Sequence, residues 1–148
     1  MLNGIHKRKD LGRETRSNSF PGLVSESKTV YLHLKLEMDK STILKDLIDT
    51  YGKHGWRLRQ ILLRPETHAE LQSDLASLLQ NGEVKQSEVD ALWFSRPSHQ
   101  DREAWELRLL AESTYALFET FESDETEEQR SEVKLEMESR LRDYVNRT

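Results

Sequence analysis

Cysteine is absent from the 148 residues. That removes disulfide staples, thiolate metal ligands and thiol nucleophiles together. Glycine is scarce at six, leaving little material for phosphate-cradling loops. No Gly-x-x-x-x-Gly-Lys, Gly-x-Gly-x-x-Gly or Gly-x-Ser-x-Gly pattern occurs, and no His-Glu-x-x-His. The five histidines (His6, His33, His54, His68, His99) never fall three or four apart, so no helix presents two of them to a metal. No apolar run approaches the ~18 residues of a membrane span. Lys7, Arg8 and Lys9 are not followed by the apolar stretch of a signal peptide. These absences weigh against an enzyme, give no reason to expect a cofactor or a membrane partner, and favour the cytoplasm.

What is present suits one small domain. Hydrophobic residues make up 35% and charged residues 33%, a lean core that leans on its rings. Trp56, Trp93, Trp105, Phe94, Phe118 and Phe121 supply them, at roughly 150–250 Å² buried each. Charge is unevenly spread. Residues 1–63 hold 12 Lys and Arg against 7 Asp and Glu, and residues 64–148 hold 10 against 20. Such a split raises interest in a charged partner, although two halves that face each other and solvent would show it too.

Along the chain, residues 1–27 lack apolar periodicity and read as a flexible basic arm. Residues 28–148 then form a single α+β domain. Val30, Leu32, Leu34, Leu36 and Met38 alternate with Tyr31, His33, Lys35 and Glu37, the pattern of a half-buried strand. Asp39 or Ser41 caps a helix over 41–51, with Ile43, Leu44, Leu47, Ile48 and Tyr51 on one face. Gly52 suits the left-handed residue that stops it. A strand follows over 56–63, with Trp56 and Leu58 inward and Arg57 and Arg59 outward. A crossover helix between two strands implies that they run parallel. Pro65 opens a helix over 66–80, ended by Asn81-Gly82, and residues 87–91 suggest one further helical turn.

Two readings compete for residues 92–121. A helix would align Leu107, Leu110, Ala111, Thr114, Leu117, Phe118 and Phe121. Strands over 92–95, 105–110 and 115–121, separated by turns at 97–102 and 112–113, would alternate Trp105, Leu107 and Leu109 against Glu106 and Arg108. Ring and β-branched content favours the strands. The chain closes with an amphipathic helix over about 124–145, begun at Ser123, with Val133, Met137, Leu141, Tyr144 and Val145 as its stripe. Glu136–Arg140 and Glu138–Arg142 are spaced to pair along its wet side. The expected fold is a mixed sheet of four or five strands packed by two or three helices. The alternative is a β-α-β unit followed by a helical bundle.

One short motif resembles known proteins. Gly52-Lys53-His54-Gly55-Trp56-Arg57-Leu58 looks like the Gly-x-x-Gly-Trp-x-Leu turn of a small bacterial family of unknown function, with the resemblance covering residues 30–63. It implies a strand–helix–strand fragment with Trp56 beneath the helix. It implies no activity.

Three functions are compatible with these residues. The first is a non-catalytic module that binds another protein or associates with itself. The second is a nucleic-acid or anion binder using a cationic sheet face built from Tyr31, His33, Lys35, Arg57 and Arg59. The third is an enzyme whose residues converge from distant segments. The acidic run 122–128 needs no partner, because carboxylates there complement the positive end of the helix that follows.

Overall fold

The computed structural model describes residues 39–79 and 82–147. The arm and the alternating segment 29–38, with Tyr31, His33 and Lys35, lie outside the described residues. The order is α1 (Lys40–Lys53), β1 (Arg57–Leu63), α2 (Pro65–Leu78), β2 (Glu83–Gln86), β3 (Ala91–Pro97), β4 (Glu103–Leu109), β5 (Ala116–Phe121) and α3 (Glu127–Arg147). The strands make one five-stranded sheet in the order β2-β1-β3-β4-β5. β1 and β2 are parallel, joined by the α2 crossover, and the other pairings are antiparallel. The class is α+β with a mixed sheet, so the strand reading of 92–121 holds and the helical one does not.

Local chemistry sets most of the boundaries. Asp39 caps α1, its carboxylate accepting from the Thr42 N–H at 3.0 Å and from the Thr42 hydroxyl at 3.0 Å. Both bonds hold the Asp39 carboxyl below its ordinary value. The helix runs through Gly52, and it is Gly55, at φ 87°, that takes the left-handed turn. Gly52 was expected to stop the helix, yet it keeps helical geometry, because the bonds that close the end come from the His54 and Gly55 N–H groups. α3 begins later than Ser123 because Thr126 and Gln129 form a reciprocal cap. The Gln129 N–H donates to Thr126 Oγ1 at 3.1 Å and the Thr126 N–H to Gln129 Oε1 at 2.9 Å. The helical turn expected at 87–91 is absent. β2 precedes that stretch instead, drawn into the sheet by its parallel pairing with β1.

Three layers result. On one face, α1 and α2 set Leu44, Leu47, Leu71 and Leu75 against Ile61, Leu63, Leu92 and Phe94. On the other, α3 sets Val133, Met137 and Leu141 against Trp93, Trp105, Leu107, Leu117 and Phe121. Each such side chain contributes roughly 1.5–3 kcal/mol by leaving water. A buried carboxylate links the first layer to the sheet. Asp90 accepts from the Arg64 N–H at 2.8 Å, from Thr67 Oγ1 at 2.8 Å and from Lys40 Nζ at 3.3 Å. It thereby takes the capping role at the start of α2, where Arg64 offers no side-chain acceptor of its own.

Candidate binding groove

The sheet face beneath α3 is shaped by a bulge in β1. Leu58 pairs with Phe94, but Gln60 pairs with Trp93, so Arg59 is an extra residue that re-phases the strand. Leu58 therefore shares the α1 side with Ile61 and Leu63, while Gln60 and Leu62 turn toward α3. Strict alternation through Arg59 would have placed Leu58 and Leu62 together. The bulge also lays Arg59 along the sheet. Its Nη1 donates to Ser95 Oγ at 3.1 Å, and its guanidinium carbon sits 5.1 Å from the Trp105 ring centroid.

α3 supplies the opposite wall. Arg130, Lys134 and Glu138 recur at intervals of four, so they line up beside the buried stripe on the side leaning toward β1. Arg130 Nη1 donates to Glu103 Oε1 at 3.0 Å, and the same oxygen accepts from the Trp105 indole at 3.0 Å. Lys134 Nζ lies 3.5 Å from the Trp105 ring centroid, a cation–π contact. Glu138 accepts from the Trp93 indole at 2.9 Å, so it does not make the expected pair with Arg142. That arginine faces Glu88 instead, at 3.6 Å. Trp93 and Trp105 meet edge to face at 5.8 Å.

Between these walls lies an open groove of about 410 Å³. Trp93 and Trp105 are its floor, Lys134, Leu135 and Glu138 one side, and Arg59, Gln60, Glu83 and Lys85 the other. Leu135 stands at its mouth 61% exposed, the large apolar side chain most open to solvent among the described residues. Burial against the rings lowers the Lys134 ammonium below its ordinary value. Arg59 and Arg130 push the same way, and Glu127 and Glu103 oppose them. Anions would meet both signs here, since Glu83 and Glu138 interleave with Arg59, Lys85 and Lys134.

Of the five residues expected to form a cationic face, Arg57 and Arg59 fall among those described. Arg57 is exposed at the start of β1, and only Arg59 enters the groove. The groove's other residues escaped the sequence reading. The four-residue spacing of Arg130, Lys134 and Glu138 was the available signal.

The α1 side also holds a polar cluster where β4 alternation suggested a wet face. Glu106 and Arg108 are buried, 8% and 2% exposed. Tyr51 donates to Glu106 Oε2 at 2.5 Å and stacks on Phe94 at 4.1 Å. Burial first, then the Glu106 charge, raises the Tyr51 phenol above its ordinary value. Trp56 lies half-buried nearby, edge-on to Tyr51 and Phe118, with Arg96 over its ring at 4.9 Å. Among the described residues no cluster of His, Asp or Glu suits a metal ion, and no helix is long and apolar enough to cross a membrane.

No family model matches the chain, and no curated protein or solved structure matches it.

Proposed function

We propose that this chain is a small non-catalytic binding module of the cytoplasm whose partner is a protein, contacted through the groove between α3 and β2. The observation that carries this reading is Leu135, a large apolar side chain left in water at the mouth of a tryptophan-floored groove. Interfaces concentrate their energy in such apolar and aromatic centres ringed by polar groups. The mixture of charge favours a polypeptide over nucleic acid. Arg59 is already engaged by Ser95 and Trp105, and two carboxylates line the same walls.

Site-specific photo-crosslinking in the native cell tests this. A crosslinking residue at Leu135 should yield protein adducts, and one at exposed Gln72 on α2 should not. Equal yields from the two positions, or adducts destroyed by nuclease, would overturn the assignment.

A further inference from the structure

β2 has a bonding pattern and a charge order that fit one particular neighbour. The Ser87 N–H donates to the Leu63 carbonyl of β1 at 2.9 Å. Backbone groups alternate sides along a strand, so Glu83 and Lys85 bond toward β1, while Val84 and Gln86 turn their N–H and C=O groups outward. Among the described residues no strand pairs with that outer edge. Glu83 and Lys85 are exposed on the groove side, whereas Val84 packs against the α1 and α2 core.

We infer that the outer edge of β2 pairs antiparallel with β2 of a second copy of this chain, about a two-fold axis through Val84. This deepens the reading of the groove as a protein contact and rests on it. An axis at Val84 lets its outward N–H and C=O exchange both bonds with the partner's Val84. It sets Glu83 opposite the partner's Lys85 and Lys85 opposite the partner's Glu83, two attractive cross-strand pairs. An axis at Glu83 or at Lys85 would instead oppose like charges and would centre on residues already bonded to β1. Of the axes through Glu83, Val84 and Lys85, the one at Val84 alone sets unlike charges opposite each other. The two-fold runs perpendicular to the joined sheet, so both grooves open on one side, each with its Leu135. Lys85 makes no ion pair among the described residues, which leaves its ammonium available to the partner's Glu83. The contact is short, and interfaces of that size are weak and concentration-dependent.

Sedimentation velocity on the full chain, across a concentration series, reads this directly. The unaltered chain should show a monomer–dimer equilibrium. Lys85→Glu and Glu83→Lys each replace two attractive pairs by two repulsive ones and should weaken the dimer about tenfold or more. The combined Glu83→Lys and Lys85→Glu exchange restores opposite charges and should return the dimer to near its original strength. Mixing the two single variants should restore both attractive pairs in a heterodimer. Val84→Pro deletes an outward N–H without touching the β1 ladder and should abolish the dimer, with circular dichroism confirming that the fold remains. A chain monomeric up to ~1 mM, or a dimer indifferent to the single exchanges, overturns the inference. A monomeric chain that still crosslinks another protein from Leu135 would sink self-pairing while sparing the groove. Nuclease-sensitive adducts would remove both.

Discussion

The two faces of the sheet are built from different materials. Beneath α1 and α2 the apolar contacts are mainly Leu, Ile and Phe, and the buried polar groups there are partnered, Asp90 by Lys40, Thr67 and the Arg64 N–H and Glu106 by Tyr51. Beneath α3 the tryptophans are interleaved with Arg59, Arg130, Lys134 and Glu138, and the layer opens into a groove. One face spends its side chains on closure. The other leaves apolar and charged groups beside solvent, and under the proposed function that is where specificity for a partner would reside. Substitutions should therefore separate stability from association according to the face they touch.

The largest effect should come from the closed face. Phe94 is 1% exposed and stacked on Tyr51. Phe94→Ala should cost about 3–5 kcal/mol in chemical denaturation, through lost transfer energy and a cavity. A loss below about 1 kcal/mol would mean that this layer is not the stabilising one.

Asp90→Ala should follow at about 3 kcal/mol, because Lys40, Thr67 and the Arg64 N–H lose their shared acceptor in a buried setting. The same denaturation experiment would contradict the hub assignment if Asp90→Ala behaved like a surface change.

Tyr51→Phe should cost about 1–2 kcal/mol near neutrality by removing the donor to Glu106. Its pH dependence has a definite sign. The folded chain holds the Tyr51 proton more tightly than the unfolded chain, whose value is near 10.0. The stability from that proton is whole below pH 10.0 and is lost as pH rises above it. The gap between the original chain and Tyr51→Phe should then narrow above pH 10.0, and a gap constant with pH would place Tyr51 in water.

On the open face, Lys134→Met should change stability by less than about 1 kcal/mol, because loss of the cation–π contact is offset by relief of a desolvated charge. A loss of 3 kcal/mol or more, on the order of a broken buried ion pair, would show that the groove wall is a structural core.

Elements with a strong local period were legible in the sequence. The α3 stripe, the β4 alternation and the α1 cap all reflect forces acting within a few residues. Misreadings arose where tertiary contacts decide. Arg59 looks like any outward arginine until pairing with β3 reveals the bulge. β2 is four polar-flanked residues whose strand form depends on β1. Glu106 and Arg108 read as a wet face, yet they are buried with Tyr51 as a partner supplied from far along the chain. The groove was illegible for the same reason. Its walls come from β1, β2 and α3, and neither the outward Arg59 nor the four-residue spacing of Arg130, Lys134 and Glu138 reveals alone that they face each other.

Amide hydrogen exchange in native-cell extract, compared with buffer at equal protein concentration, tests the division of labour most directly. The account predicts slowing confined to residues 83–86 and 131–138, with α1 and α2 unchanged. Unchanged exchange in the groove, slowing centred on α1 and α2, or protection that nuclease removes would contradict it.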